Sequence, residues 1–194
     1  MKSLKKTNSK SVREKIASTV AYFEKVFPDK SLRVLDVGTR IGYAVELLER
    51  ARYSASGTDI EPEYVAYATS CGRDVIVDDI MNSAFPQNCC DVIFSRHAIE
   101  HCNDTVAFFN ACDRLLVCGG RLFITFPLES SQRFNKKWLG DGADIHKVHY
   151  ETIEDFRAVL DKTTFEAELL CYSEDVGIEP MKKEVLLIAK RREA

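Results

Sequence analysis

The chain predicts an α/β fold: a doubly wound, mostly parallel sheet of seven strands with an antiparallel last strand and helices on both faces. Three observations carry that expectation. Short apolar runs alternate with stretches at helical spacing from about residue 33 onward. Within that rhythm, the residues from Arg33 to Leu48 read as a buried strand, a glycine-bearing turn and the opening of a helix. Finally, Phe165 to Tyr172 and Glu184 to Lys190 are apolar runs joined by a short link without a helical pattern, so they should pair antiparallel.

In the central stretch Val34, Leu35 and Val37 form the strand, and Ala44, Leu47, Leu48 and Ala51 fall on one helical face. Before it, Val12, Ile16, Val20, Phe23 and Phe27 mark an amphipathic helix over 11–27, which Pro28 stops. Ser54 to Ile60 holds a second strand that ends at Asp59, followed by Glu61-Pro62-Glu63 with proline in the first turn of a helix. Asp74 to Val77 is a third strand ending at Asp78-Asp79, and Asp91 to Ser95 a fourth. Asn103 or Asp104 can cap a helix carrying Phe108, Cys112, Leu115 and Leu116, which Gly119-Gly120 should end before strand five, Arg121 to Phe126. Periodicity is then lost from 127 to 150, and Thr152 with Asp155 forms a capping box for the last helix.

With 194 residues, 45% hydrophobic and 29% charged, the composition is that of one ordinary globular domain spanning 1–194. A net charge of -3 argues against a general nucleic-acid binder, although Lys2, Lys5, Lys6, Lys10, Arg13 and Lys15 make residues 1–30 a basic arm and helix. No apolar run suits a membrane span or a signal peptide, so a cytoplasmic protein without membrane contact is expected. Seven cysteines without a Cys-x-x-Cys pair read as free thiols packed as small hydrophobes, and no metal site is expected.

The order of four motifs resembles the class I S-adenosylmethionine-dependent methyltransferases of small-molecule type, over about residues 31 to 190. The first is Asp36-Val37-Gly38-Thr39-Arg40-Ile41-Gly42, similar to the family's acidic-x-Gly-x-Gly-x-Gly turn, with Arg40 standing at the middle glycine. Glycines let a backbone approach the cofactor's methionine end, and Asp36 offers an anion to its ammonium or a bridging water. The second, Gly57-Thr58-Asp59-Ile60-Glu61-Pro62-Glu63, places Asp59 at the family's ribose-binding acid. A carboxylate suits two hydroxyl donors. The third is Asp79-Ile80, where the resemblance implies adenine binding, and the fourth is Ser95-Arg96-His97-Ala98-Ile99-Glu100-His101, similar to the loop passing beneath the methionine. The resemblance thus implies a Rossmann-like seven-stranded sheet, S-adenosyl-L-methionine as cofactor, and contacts from Asp36, Gly38, Thr39, Arg40, Gly42, Asp59, Ile60, Asp79, Ile80, Ser95 and His97.

A dinucleotide-binding turn would want Gly-x-Gly-x-x-Gly, which arginine at 40 and tyrosine at 43 do not supply. His97 and His101 flank Glu100, but the offset is not that of His-Glu-x-x-His. The aperiodic 127–150 segment follows strand five at the ligand edge and holds Arg133, Lys136, Lys137, Trp138, His146 and His149. It reads as an acceptor-side insertion, with His149 first and His146 second as general base. No Asp-Pro-Pro-Tyr or Asn-Pro-Pro-Tyr follows strand four, so the resemblance does not extend to the enzymes that methylate adenine or glutamine amino groups through that clamp, and the lack of Pro-Cys disfavours methylation at cytosine carbon five. The expected activity is methyl transfer to oxygen or nitrogen of a small acceptor, including an anionic one. A noncatalytic cofactor-binding protein, which Arg40 would favour, and an RNA methyltransferase using the basic arm are the alternatives.

Overall fold

The computed structural model describes residues 8–128, 147 and 148, 150–178 and 184–192. Its elements in chain order are α1 (Lys10–Val26), β1 (Arg33–Val37), α2 (Tyr43–Arg50), β2 (Ser54–Asp59), α3 (Pro62–Ser70), β3 (Val75–Val77), β4 (Cys90–Arg96), α4 (Thr105–Leu115), β5 (Leu116–Pro127), α5 (Ile153–Leu160), β6 (Phe165–Tyr172) and β7 (Glu184–Arg191). They build one seven-stranded sheet in the order β3-β2-β1-β4-β5-β7-β6. β7 runs antiparallel to both β5 and β6, and the pairs β1 to β2, β2 to β3, β1 to β4 and β4 to β5 are parallel.

Strand alternation splits the core into two layers. Leu35, Val37, Ile93, Leu122, Ile124 and Phe126 face one side, where Phe108, Phe109 and Phe156 of α4 and α5 cover them. Val34, Val92, Phe94, Phe123, Leu186 and Ile188 face the other, under α1 and α2. Phe23 of α1 centres that second layer, its ring centroid 5.6 Å from Phe94 and 5.3 Å from Phe123, both edge-on. Such geometry suits the quadrupoles of packed rings.

The succession β1 to β2 to β3 runs outward in one direction and β4 to β5 in the other. The switch point therefore lies between β1 and β4, and their carboxyl ends open the crevice where ligands bind in such sheets.

Several local expectations are corrected. α4 ends at Leu115, not at Gly119-Gly120, because Leu116 is already extended and pairs with Cys90. Gly119 instead supplies a left-handed φ of 71° inside a long, irregular β5. The last connection holds a short 3-10 turn, Ser173–Val176, where no helical pattern was expected. Among the cysteines only Cys90 and Cys112 are buried, whereas Cys71 and Cys118 are exposed and Cys89, Cys102 and Cys171 lie between. The capping box of Thr152 and Asp155 forms, and Asp104 is the residue that caps α4.

Candidate active site

The turn after β1 gathers most of the proposed cofactor residues. The Gly38 and Thr39 N–H groups both donate to Thr58 O, at 2.9 and 3.0 Å, which stitches the turn to β2. Gly38 has φ 75°, and a Cβ built there would lie 2.6 Å from Ala98 Cβ, so no side chain fits. Gly42, with φ 69°, ends the turn as the residue before α2, and its Cβ would meet Val75 Cγ2 at 2.8 Å. Arg40 itself adopts φ 53°, the left-handed conformation that a glycine would take.

Three carboxylates stand at or just after the carboxyl ends of β1, β2 and β3. Asp36 is 2% exposed. Burial pushes its pKa up to about 7, with Thr39 beside it opposing and Asp59 adding to the rise. Asp59, 7% exposed, accepts the Arg40 N–H on Oδ2 at 2.7 Å and the Glu61 N–H on Oδ1 at 2.9 Å. Burial raises its pKa despite those bonds. Each of its oxygens keeps a second lone pair for a ligand hydroxyl. Next to it Ile60 is 71% exposed, a large apolar side chain standing open at the end of β2. Asp79 is the third; its Oδ1 accepts the Met81 N–H at 3.0 Å and caps a short 3-10 turn, while Ile80 of that turn packs into the core.

At the end of β4, Ser95 is fully buried and its hydroxyl donates to Val37 O at 3.0 Å, tying β4 to β1 just below the turn. His97 has φ 57° and donates its backbone N–H to Thr125 O at 2.8 Å. Its Nε2 lies 2.9 Å from Glu184 Oε2 and its Nδ1 3.4 Å from Glu100 Oε1. Arg96 Nη2 stands 3.5 Å from the same Glu184 oxygen. Burial alone would lower the His97 pKa, but the charge of Glu184 lifts it above the ordinary imidazole value. Burial likewise works against Glu184, and His97 beside it brings that carboxyl down to about 2. Glu100 is also held below its usual range, the bond from His97 outweighing burial.

Sequence reasoning placed His97 at the site but missed Arg96, Glu100 and Glu184 as a cluster with it. One signal was available: Glu184 opens the run Val185-Leu186-Leu187-Ile188-Ala189, and an acid at the head of a fully buried strand needs a partner. Its partner lies 87 residues away, which spacing alone does not reveal.

A recess of about 530 Å³ opens beside the start of α2, lined by Asn8, Lys10, Arg13, Glu14, Ala17 and Tyr43. The Arg13 guanidinium sits 5.0 Å from the Tyr43 ring centroid. Lys147 and Val148 donate their N–H groups to Glu100 O at 2.7 and 3.2 Å, which brings the end of the 127–150 segment to this same edge. His146, His149, Arg133, Lys136 and Lys137 lie outside the described residues, as do Lys2, Lys5 and Lys6. No group of His, Cys, Asp and Glu able to hold a metal ion occurs among the described residues. No described helix is long and apolar enough to cross a membrane.

Residues 35–124 match a family model described as a methyltransferase domain. The chain is 28% identical over 144 residues to phosphoethanolamine N-methyltransferase 1 of Arabidopsis thaliana, covering 69% of this chain and 29% of that protein. It is 32% identical over 114 residues to the ubiquinone biosynthesis O-methyltransferase of Xylella fastidiosa, covering 54% of this chain and 45% of that one. The chain thus spans less than half the length of either relative. In fold it is similar to a SAM-dependent methyltransferase from Aquifex aeolicus, with a TM-score of 0.73 at 17% identity, covering 98% of this chain and 97% of that one.

Proposed function

We propose that this chain, which carries a methyltransferase domain of the class I S-adenosylmethionine-dependent family, moves the cofactor's methyl group to oxygen or nitrogen of a small acceptor. The observation that carries the reading is the meeting of the Gly38 to Gly42 turn, Asp36 and Asp59 at the carboxyl ends of β1 and β2, beside the switch point.

The donor set fits the cofactor. The left-handed Gly38 and Gly42 let the turn pack against Ala98 and Val75, and a carboxylate can meet amides at the start of α2. Asp59 retains acceptor capacity for ribose hydroxyls, and the open Ile60 offers an apolar wall for the adenine. Asp36 provides the anion for an ammonium, whose arrival would favour its ionised form. When bound, S-adenosyl-L-methionine supplies an electrophilic methyl group. The protein's own work is then alignment, exclusion of water and, for a protonated acceptor, removal of one proton. His149, with His146 second, is the proposed base from its place at the end of the acceptor-side segment. Turnover that survives His149→Ala would remove it from that role.

Two observations favour an acceptor bearing an anionic group. One relative is named for phosphoethanolamine, and the recess next to the turn is lined by Lys10 and Arg13 against one acid, Glu14, which faces Lys10 at 3.7 Å. The noncatalytic reading rested on Arg40. Because Arg40 holds φ 53°, the turn keeps the shape that a glycine would allow, which speaks against that reading as far as the backbone goes.

Calorimetric titration with S-adenosylmethionine is the test, with Asp59→Ala as its control. The wild type should bind, and the variant should lose one to a few kcal/mol, the rough scale for stranded hydroxyls or lost charge-assisted bonds. A wild-type chain that binds no cofactor sinks the proposal. With binding in hand, transfer of labelled methyl to phosphorylated amines and to phenols would identify the acceptor class.

A further inference from the structure

We propose that His97 is a positioning residue that couples the start of β7 to the glycine turn. Clamped as an imidazolium between Glu184 and Glu100, it holds the left-handed bend that lays Ala98 on Gly38, and cofactor affinity therefore follows its charge. The inference rests on the cofactor site assigned above.

The bend at His97 is held from three sides. His97 is a non-glycine residue at φ 57°, a conformation that persists only when its surroundings over-determine it. Three contacts do so: its N–H on Thr125 O, its Nε2 on Glu184 and its Nδ1 facing Glu100. They come from β5, from the first residue of β7, and from the 3-10 turn Ile99–His101.

The bend in turn sets the contact with the glycine turn. Ala98 follows directly, and its Cβ stands where a Cβ on Gly38 would be only 2.6 Å away. Only a hydrogen fits between them, so the interface has no slack, and close-packed contacts of this kind transmit displacement. If the bend relaxes, Ala98 leaves or presses the turn that receives the cofactor.

Glu184 and Glu100 side chains are 0% and 2% exposed, against Arg96 at 13% and His97 at 14%. Two anions facing Arg96 and a protonated His97 sum to zero. A neutral His97 leaves a buried excess anion, which costs several times what an exposed one does. Other charged groups border the quartet: Asp36 of β1 and Arg40 of the turn act on Arg96, and His101 acts on Glu100. None of them replaces the cation lost from between the two carboxylates.

The test is calorimetric titration of S-adenosylmethionine from pH 6 to pH 9, with Glu184→Gln and His97→Asn beside the wild type. Asparagine is chosen because it tolerates the left-handed bend without carrying charge. The wild type should lose roughly tenfold in affinity across the range, the size of one pKa unit of coupling. Glu184→Gln should move the midpoint of that loss to lower pH, and His97→Asn should erase the step while binding weakly at pH 6. Asp36 titrates in the same range with the opposite effect, but it is common to all three proteins, so the differences among them are the readout. Imidazole nitrogen NMR of His97 should show both N–H groups in the wild type at pH 7, and Glu184→Gln should give up one of the two at a lower pH than the wild type does. Superimposable affinity profiles, or a neutral His97 at pH 7, would overturn the coupling. A wild type that binds no cofactor at any pH would instead sink the methyltransferase reading along with it. Circular dichroism melts establish that each variant is folded. If Glu184→Gln is not, the loss or persistence of the alkaline weakening in His97→Asn relative to the wild type decides.

Discussion

Gly38 and Ala98 meet across the switch point, with 2.6 Å between the Ala98 Cβ and the position a Cβ on Gly38 would occupy. The contact joins the two loops that leave the carboxyl ends of β1 and β4 into one floor. Cofactor and acceptor chemistry would both take place on it.

Gly38→Ala should therefore be damaging twice over. The new methyl meets backbone-anchored Ala98, and an alanine must hold φ 75°, at a cost on the order of 1–3 kcal/mol for strain alone. We expect a lower melting temperature and a loss of S-adenosylmethionine affinity. Adding Ala98→Gly should restore part of the loss by removing the clash but not the strain. If the double variant regains nothing, the clash is not the cause.

Asp36→Asn should separate stability from function. A carboxyl with its pKa raised from 3.8 to about 7 keeps its proton in the folded state while the unfolded chain has released it. The folded state thus binds more protons between those values, and stability falls as pH rises through that window. The shift of about three units corresponds to at most about 4 kcal/mol at about 1.36 kcal/mol per unit. Without cofactor, Asp36→Asn should melt higher than the wild type at pH 8 and near it at pH 4. Cofactor affinity should drop in the variant. Equal melting curves at pH 8 would mean that Asp36 pays no ionisation penalty in the fold.

The quartet around His97 has two arms, one of the same sign as Asp36 and one opposite. His97 has a raised pKa, so its contribution is complete below about 6.5 and is lost as pH rises through the folded value. Glu184, lowered from 4.5 to about 2, contributes fully above 4.5 and loses that contribution as pH falls toward 2. The slope from Asp36 and the alkaline arm of His97 therefore add, and the cofactor-free protein should be most stable on the acid side of neutrality. A stability maximum above pH 8 would contradict both assignments.

The sheet was legible in the sequence because its strands are short, apolar and bounded by acids or glycines, as in the run from Arg33 to Gly38. β2 illustrates the limit of propensity. Ser54-Ala55-Ser56-Gly57-Thr58-Asp59 is a poor strand by composition, yet β1 and β3 on either side hold it in register. The end of α4 was misplaced for a related reason. Gly119-Gly120 looked like a helix stop, whereas the sheet captures Leu116 first and uses Gly119 to absorb an irregularity in β5. The motif residues of the site are local in sequence and could be found there. The Arg96, His97, Glu100 and Glu184 cluster could not, since it exists only once β7 has been inserted between β5 and β6.

Arg40 decides between two ways of reading the turn. Its backbone serves the fold, donating to Asp59 Oδ2 at 2.7 Å from a left-handed conformation that glycine adopts without strain. Its side chain is exposed at the mouth of the site, where we expect it to face the cofactor's carboxylate. Arg40→Gly keeps the N–H and relieves the backbone, so stability should hold or rise slightly. Affinity for S-adenosylmethionine should nonetheless fall by roughly three- to tenfold, the range of about 1 kcal/mol for a solvent-exposed charge-assisted contact. Raising the salt concentration should shrink the difference between variant and parent, because exposed ion pairs are screened. Tighter binding by Arg40→Gly would show that the arginine obstructs the cofactor, and the noncatalytic reading would then regain the support that the turn's geometry takes from it.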